Sequence, residues 1–436
     1  MKQSHIVVIG GGMSGTAAAN TLFKLGHTVT IVEKNDRLGG RIHSITTDNF
    51  TFELGAGFLT DIYFNTFRFL KETGLDKNLQ RRKSKSAIVK HGVAHTVTAP
   101  STIFGNSFIS HGAKIKLLAE LVKVVPTLKH LDVKNFWQAY PYDNKSVSEA
   151  FKGKYGQEVL DFLIQPMLEG YFYWSADTTS RAMLLVLFKA AAARGHTYIL
   201  KNGLQRIPEL AAKGCEILLA HEVKEVQKLS ENEYEVVTNK KTLKADGIVC
   251  ATTASFVSKI FKNLTDTQLK FFSSVQYSST AIVAKTYKPK ATPSNYAIGY
   301  PRKEKNPLGA ITIVSDANKE TTLVKLFASG VYGKELCKKS DETIEKTLST
   351  AATASKNIFD ISINPTSQHI QRWQEALPHF DVGHFQRLKT FMNGEIESKD
   401  ERIVFAGDYI GGPFIEGAFT SGIQAAERLE KRFSLG

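Results

Sequence analysis

Cysteine is scarce in this chain of 436 residues. The three cysteines, Cys215, Cys250 and Cys337, are widely separated, so they match neither the short spacings of a zinc site nor a disulfide framework. This scarcity excludes a disulfide-stabilised secreted scaffold and fits a reducing compartment. We therefore expect neither a disulfide nor a bound metal.

Long apolar runs are also lacking. The longest, residues 183–193, is too short to cross a bilayer and contains Lys189. At the start of the chain, four residues precede a predicted strand, which leaves no room for a signal peptide. We therefore expect a cytoplasmic protein, and at this length one with two or three domains.

Acidic residues are outnumbered: 42 aspartates and glutamates stand against 56 lysines and arginines, a formal net charge of +14. Such an excess suits an anionic membrane surface, an anionic substrate or nucleic acid, and it also fits a merely solvated basic surface. The basic residues are dispersed and no nucleic-acid reader motif accompanies them, so we expect no nucleic-acid partner. We do expect a small-molecule substrate, and the pattern carries no signal for an oligomeric state.

A dinucleotide-binding pattern opens the chain. Residues 5–9 predict a buried strand, residues 10–15 a glycine turn of the type GxGxxG, and residues 16–25 a helix. A second predicted strand, residues 28–32, runs into Glu33, at nearly the spacing that places a carboxylate on an adenosine ribose. Because all five parts are in register, the turn is more than a packing feature.

Each glycine of this turn has a separate task. Gly10 permits the tight turn, Gly12 lets the backbone approach a pyrophosphate, and Gly15 lets the helix pack against the strand. The first N–H groups of the helix then point at the phosphates. The sequence therefore predicts a bound dinucleotide.

Two further segments indicate FAD. RLGGR at residues 37–41 and FELGAGF at residues 52–58 supply a second glycine pair and an arginine, which an extended FAD can use and an NAD site does not need. Here the chain resembles the flavin-dependent amine oxidase superfamily, which includes monoamine oxidases, protoporphyrinogen oxidases and phytoene desaturases. Residues 165–171, 203–208 and 372–384 are similar to the protoporphyrinogen oxidase branch.

The resemblance implies a second cofactor motif near the carboxyl end. A predicted strand at residues 402–406 runs into Gly407 and Asp408, and a predicted helix covers residues 415–432. In the family, the aspartate contacts the ribityl chain or pyrophosphate, and the helix N-terminus faces the flavin ring. Two motifs at opposite ends of the chain are thus expected to meet on one ligand.

The resemblance also implies an α/β fold whose FAD-binding Rossmann-type (GR2-like) domain is discontinuous in sequence, with a mixed α+β substrate domain and a helical subdomain. The expected boundaries are residues 1–75, 201–254 and 395–436 for the FAD-binding domain, 76–100 and 255–394 for the substrate domain, and 101–200 for the helical subdomain. Locally, residues 86–98 predict a hairpin, residues 277–283 and 323–328 two strands of one sheet, and residues 216–219, 222–229, 234–238 and 247–251 an antiparallel group beside the dinucleotide fold.

The predicted FAD contacts fall on these motifs. They are Gly10, Gly12, Met13, Ser14, Gly15, Glu33, Lys34, Gly40, Arg41, Gly55, Ala56, Gly57, Phe58, Val223, Gly407, Asp408 and Ile415. No cysteine lies near residues 373–384, where some relatives attach the flavin covalently. We therefore expect non-covalent FAD.

The substrate class rests on an absent lysine. Amine oxidases carry a lysine near the flavin, and the matching position in this chain is Ile282; Lys285 cannot replace it because an odd register shift turns its side chain to the other face of a strand. The substrate-cavity candidates are Trp373, Phe414, Tyr171 and Ile282. The predicted activity is FAD-dependent dehydrogenation of a CH–NH or CH–CH unit in a fairly large apolar substrate.

Other functions remain open at this stage. They are oxidation of an amine or amino acid, a carotenoid-type desaturation, a non-enzymatic escort role on the same fold, and NAD-dependent dehydrogenation. His379 and His384 are conceivable bases, although a structural role is the commoner one for such histidines. No catalytic residue is predicted.

Residues 114–131 predict an amphipathic helix that Pro126 kinks or ends. Its apolar side carries Ile115, Leu118, Val122 and Val125, and several lysines lie elsewhere around it. Packing on a core is the favoured interpretation, and peripheral contact with an anionic membrane is the alternative.

Overall fold

The computed structural model describes residues 3–47, 50–97, 108–132, 135–193, 195–288, 295–316, 321–359, 364–397 and 401–435. The strands, in chain order, are β1 His5–Ile9, β2 Thr28–Val32, β3 Ser44–Thr47, β4 Phe50–Glu53, β5 Leu59–Thr60, β6 Leu79–Arg81, β7 Lys85–Lys90, β8 Val93–Thr96, β9 Thr197–Leu200, β10 Glu216–Leu218, β11 Val223–Ser230, β12 Glu233–Thr238, β13 Thr242–Ala245, β14 Gly247–Cys250, β15 Thr280–Tyr287, β16 Tyr296–Gly299, β17 Leu308–Asp316, β18 Thr321–Ala328, β19 Ser367–Trp373 and β20 Ile403–Phe405.

The α-helices lie between and after these strands. In chain order they are α1 Met13–Lys24, α2 Phe64–Thr73, α3 His111–His130, α4 Val147–Ala150, α5 Lys154–Val159, α6 Gln165–Phe172, α7 Arg181–Ala192, α8 Arg206–Ala211, α9 Ala254–Ile260, α10 Asp266–Ser274, α11 Gly330–Leu336, α12 Asp341–Ala351, α13 His384–Met392, α14 Asp408–Gly411 and α15 Ile415–Leu435.

A five-stranded parallel sheet with the order β10-β2-β1-β14-β20 joins the two ends of the chain. Its three central strands, β2, β1 and β14, are almost entirely buried. The helices α1 and α15 pack against the sheet, and β12 and β13 contact it as well. The helices α1 and α15 pack so closely that a Cβ on Gly422 would lie 2.0 Å from the Ser14 carbonyl oxygen. The predicted α/β class, with a discontinuous Rossmann-type sheet, is confirmed.

The antiparallel group beside this sheet differs from the prediction. It consists of β11, β12 and β13, and β13 was not predicted. The predicted strands 216–219 and 247–251 belong instead to the parallel sheet, as β10 and β14. Sequence periodicity identifies a strand but not its partner, because pairing depends on residues far away in the chain.

The second large sheet has seven strands in the order β19-β15-β18-β17-β16-β7-β8. The predicted hairpin is confirmed as β7 and β8, which turn at His91 and Gly92; its last residue, Thr98, lies outside the described residues. The two strands predicted in one sheet are confirmed as neighbours, β15 and β18. The first of them begins at Thr280 rather than at residue 277.

The helical part of the chain runs from α3 to α7. Tyr173 adopts a left-handed conformation (φ 60°) and ends α6. Residues 197–200 do not continue the helices as expected: they form β9, which pairs with β5 and β6. Residues 101–107 of the predicted helical subdomain lie outside the described residues.

The packing of helix α3 differs from the expectation, and Pro126 does not end the helix. It continues through Pro126 to His130. Its buried apolar side chains are Ala113, Leu117 and Val124, whereas the four residues predicted to pack on the core are all exposed, Val122 to 71% and Ile115 to 68%. Among the residues described, no helix combines the length and the apolar character that a bilayer crossing requires.

Candidate functional site

The glycine turn after β1 has the geometry that its sequence predicts. Gly10 has a φ of 104°, a conformation that favours glycine, and its N–H donates to the Val32 carbonyl over 2.8 Å. A Cβ on Gly15 would lie 1.9 Å from the Gly10 carbonyl oxygen, so a larger residue cannot occupy this position. The turn therefore delivers α1 directly onto the end of β1.

Among the described residues, no side chain caps the N-terminus of α1. Gly12 is the N-cap residue and supplies no side chain, and the first turn contains no acidic residue. A Cβ on Gly12 would meet only the Gly40 Cα, at 4.0 Å, so there is open space in front of the helix. Free N–H groups beside open space suit a phosphate group.

Glu33 lies at the end of β2 and is buried. One carboxylate oxygen accepts from the Gly11 N–H over 2.7 Å, and the other accepts from the backbone and side chain of Asn35. The predicted ribose ligand therefore also holds the glycine turn in place. A carboxylate oxygen can accept two hydrogen bonds, so acceptor capacity remains for a ribose hydroxyl.

Arg41 and Asp408 bring the two predicted motifs together. The guanidinium donates to both carboxylate oxygens, over 2.6 and 2.8 Å, and also to the Ala376 carbonyl over 3.1 Å. Burial lowers the pKa of Arg41, but the charge and hydrogen bond of Asp408, together with Tyr277 and Glu375, outweigh burial and raise it overall. The arginine thus stays charged beside the predicted pyrophosphate position.

The second glycine segment, residues 55–58, follows β4 and lies next to Trp373. The indole Nε1 donates to the Leu54 carbonyl over 2.7 Å, and a Cβ on Gly55 would lie 1.9 Å from the Arg41 carbonyl oxygen. The Ala56 N–H donates to that same carbonyl over 3.1 Å. Residues 55–58 are therefore held between the arginine segment and the seven-stranded sheet.

The remaining predicted contacts lie on several different elements. Met13 and Ser14 are buried in α1, and the Gly407 N–H donates to the Ser421 hydroxyl. Val223 and Ile415 are buried at the first positions of β11 and α15, and the Lys34 ammonium lies 5.8 Å from the Phe256 ring centre.

The four cavity candidates fall into two adjoining groups. Ile282 is buried with Phe327 and Ala310, and Trp373 and Tyr173 pack against them.

The second group is aromatic and lies around the end of α6. The Phe172 ring meets Phe414 edge to face at 5.9 Å, and the Tyr171 ring meets Phe58 in the same manner at 6.1 Å. Tyr171 remains 52% exposed. We call the two groups together, with Gly55 and Gly57, the chamber.

The chamber also contains a lysine that sequence reasoning missed. Lys325 on β18 is buried, its ammonium donates to the Glu53 carbonyl over 3.0 Å, and it lies 3.5 Å from the position of a Cβ on Gly57. Burial, and to a smaller extent the charge of the nearby Arg82, lower its pKa to about 8. The feature of the sequence that could have identified it is a single charged residue within the apolar run that forms β18.

Neither histidine that was considered as a base is free. His384 is fully buried, and its Nε2 lies 3.0 Å from the Tyr409 carbonyl oxygen. Burial lowers its pKa to about 3 and that of His379, whose Nε2 lies 3.2 Å from the Thr179 hydroxyl, to about 4. Both are neutral at pH 7 and bonded within the fold.

Comparison with known proteins gives this geometry a family. The family model described as flavin containing amine oxidoreductase matches residues 13–429. The chain belongs to this family. It is 22% identical to the coproporphyrinogen III oxidase of Bacillus subtilis over 95% of this chain and 94% of the relative. It is 23% identical to the chloroplastic/mitochondrial protoporphyrinogen oxidase 2 of Arabidopsis thaliana over 97% and 93%.

An amine oxidase also shares this fold. The solved structure of cyclohexylamine oxidase from Brevibacterium oxydans matches this chain with a TM-score of 0.78 at 16% identity, covering 99% and 100% of the two chains. The chain is therefore an FAD-dependent oxidoreductase of the amine oxidase superfamily, in its protoporphyrinogen-oxidase-like branch. The NAD-dependent alternative is wrong, and the shared fold by itself does not select a substrate.

The residues present fit FAD. The N-terminus of α1, the open space at Gly12 and the acceptor Glu33 suit a pyrophosphate and a ribose. Asp408, beside Arg41, supplies a second acceptor on the same side of the sheet.

Proposed function

We propose that the protein dehydrogenates a large, mainly apolar and partly reduced molecule of the porphyrinogen kind. Bound FAD supplies a two-electron acceptor. In this proposal Gly12, Glu33, Arg41 and Asp408 hold the cofactor, and the chamber orients the substrate against it. The predicted domain boundaries are part of the proposal, with the boundary at residue 200 moved to precede β9.

The observation that carries the proposal is the composition of the chamber around Ile282. At the position where amine oxidases carry a lysine, an isoleucine is buried among Phe327, Tyr173 and Trp373. An ammonium substrate needs a paired charge there, because desolvating it costs several kcal/mol. Of the charged groups near this wall, Lys325 and Arg82 are cations that would repel it, and the Glu53 carboxylate is already bonded to the Ser44 hydroxyl and the Leu204 N–H.

The chain's own residues can exclude water and position the substrate without a catalytic base. The aromatic rings of Tyr171, Phe172 and Phe414 offer a broad apolar wall for a planar molecule. The escort alternative is disfavoured because the Arg41–Asp408 pair and the open helix terminus are both retained.

An anaerobic reduction experiment tests this proposal. Loss of the flavin absorbance near about 450 nm is followed after adding a porphyrinogen, a carotenoid precursor, benzylamine or putrescine. We expect rapid bleaching by the porphyrinogen and negligible bleaching by the two amines. Rapid bleaching by benzylamine would restore the amine oxidase alternative, and bleaching only by the carotenoid precursor would favour a desaturase.

We also propose that α3 contacts an anionic lipid surface. Ile115, Leu118, Val122 and Val125 form one exposed apolar stripe, and the exposed Lys123 lies beside it. Exposed apolar side chains flanked by lysines on one helix suit the boundary between lipid headgroups and acyl chains.

Vesicle co-sedimentation tests the contact. Wild-type protein should bind anionic vesicles at low salt and less at high salt, and Ile115→Ser combined with Val122→Ser should abolish binding. The matched control is Leu269→Ser, which replaces an exposed leucine on α10. If the stripe variant elutes as a smaller species while vesicle binding is unchanged, the stripe joins two copies of the chain and the lipid proposal fails.

A further inference from the structure

Two buried lysines on neighbouring strands differ in one respect. Lys285 on β15 is 6% exposed, and its ammonium donates to the Glu345 carboxylate over 2.6 Å and to the Ser349 hydroxyl over 2.9 Å. Lys325 on β18 is 5% exposed and donates to a backbone carbonyl, that of Glu53. Within the described residues, no carboxylate forms an ion pair with Lys325.

The register explains why the two lysines have different neighbours. Lys325 lies directly opposite Ala284, and Phe327 lies opposite Ile282. Residues opposite each other in a sheet share a face, so Lys325 is on the face of Ile282 and of the chamber. Lys285 is one residue further along β15 and therefore faces α12.

The Lys325 ammonium has donors to spare. It carries three N–H groups, and the Glu53 carbonyl takes one of them. The ammonium also lies 3.5 Å from the Cβ position of Gly57 and 5.4 Å from the centre of the Phe327 ring. Neither of these can accept a conventional hydrogen bond, so within the described residues two of the three donors have no hydrogen-bond acceptor.

The charges around Lys325 do not neutralise it. The charged groups that face it are Glu53 from β4 and Arg82, which follows β6. The Glu53 carboxylate is turned away and accepts from the Ser44 hydroxyl and the Leu204 N–H. Arg82 adds a second positive charge. A buried cation that no carboxylate contacts directly is costly, which makes it a candidate for binding a ligand.

We propose that Lys325 binds a carboxylate of the substrate inside the chamber, so that the substrate is an apolar molecule carrying at least one anionic group. This inference rests on the proposed function, because it takes the chamber as the substrate site. At pH 7 the amine is mainly protonated, since its pKa is about 8. Deprotonation above this pH removes the charge that binds the carboxylate.

Calorimetric titration of the FAD-loaded protein with benzoate and with benzyl alcohol tests the inference. The two probes share a ring and differ in charge. At pH 7 wild-type protein should bind benzoate at least about tenfold more tightly than benzyl alcohol, and this preference should disappear as the pH rises above 8. Benzyl alcohol affinity should not depend on pH.

Three variants complete the test. Lys325→Met should abolish the preference for benzoate, and Lys325→Arg should keep it and extend it above pH 8, because arginine stays charged. The matched control, Lys285→Met with Glu345→Gln, removes the paired lysine of the other face and should bind both probes like wild type.

The outcomes separate this inference from the proposed function. Unchanged benzoate binding in Lys325→Met overturns the inference. If that variant also shows a shifted flavin reduction potential while its benzoate binding is intact, the lysine serves the cofactor instead of the substrate. If Lys325→Met does not load FAD, the pH dependence of benzoate binding in Lys325→Arg decides. An arginine variant that retains FAD but loses the preference for benzoate overturns the inference. Probe binding requires no turnover, so failure of a porphyrinogen to bleach the flavin leaves this result independent.

Discussion

Arg41 and Asp408 are 367 residues apart in sequence and form a two-point ion pair, with N–O distances of 2.6 and 2.8 Å. Asp408 is buried at the start of α14, and Arg41 reaches it from the loop after β2. This pair connects the segments that follow β2 and β20 of the FAD-binding sheet, and Arg41 also reaches the Ala376 carbonyl of the substrate side. Four predictions follow from this and related contacts.

Asp408→Asn should destabilise the protein by about 3 kcal/mol, because it leaves a charged guanidinium without its buried partner. Urea unfolding measures the change, and FAD content after purification should fall with it. The control is Glu72→Gln, which breaks an exposed ion pair with Lys24 and should cost less than about 1 kcal/mol. Equal effects in both variants would contradict the buried role of the pair.

Glu33→Ala should weaken FAD binding by about 1.5–3 kcal/mol. The variant loses the acceptor for the Gly11 N–H as well as the proposed ribose acceptor. Glu33→Gln keeps one acceptor oxygen and should lose less. Fluorescence titration of flavin-free protein measures both, with the exposed Glu222→Gln as control. Wild-type affinity in Glu33→Ala would remove this residue from the site.

FAD should leave the protein when it unfolds. Of the three cysteines, Cys250 and Cys337 are buried, and Cys250 lies at the end of β14 within the parallel sheet. Burial raises the pKa of the Cys250 thiol to about 11, which disfavours the reactive thiolate. After denaturation and filtration the yellow colour should appear in the filtrate. Colour retained with the denatured chain would show a covalent bond.

Lys325→Met should stabilise the fold at pH 7 by about 2 kcal/mol. The folded pKa of about 8 lies below the ordinary value of 10.5, which corresponds to about 3 kcal/mol, and the lost hydrogen bond to Glu53 offsets about 1 kcal/mol.

The pH dependence has a defined sign. Between pH 8 and 10.5 the unfolded state binds more protons at this lysine than the folded state, so wild-type stability rises with pH there. Lys325→Met lacks this rise, and the difference between the two proteins should narrow. Urea midpoints at pH 7, 8, 9 and 10 measure it. A constant difference would mean that the amine has its ordinary pKa in the fold.

The cofactor-binding motifs of this protein could be predicted from sequence because they depend on local chemistry. The glycine turn, Glu33 and the first two strands lie within about thirty residues, and their spacing is set by backbone geometry that any chain must obey. The same holds for the hairpin at His91 and Gly92, where the turn residues specify the local conformation. These features required no knowledge of distant contacts.

The surroundings of the proposed substrate site and the exposed face of α3 were determined only by the tertiary structure. The pattern of α3 showed that an apolar stripe exists, but not that Leu117 and Val124 would be covered while Ile115 and Val122 stay exposed. Likewise, the sequence excluded Lys285 by its register on one strand, yet Lys325 reaches the chamber from a neighbouring strand. Periodicity specifies the faces of an element, and which face is covered depends on packing between segments that are distant in the chain.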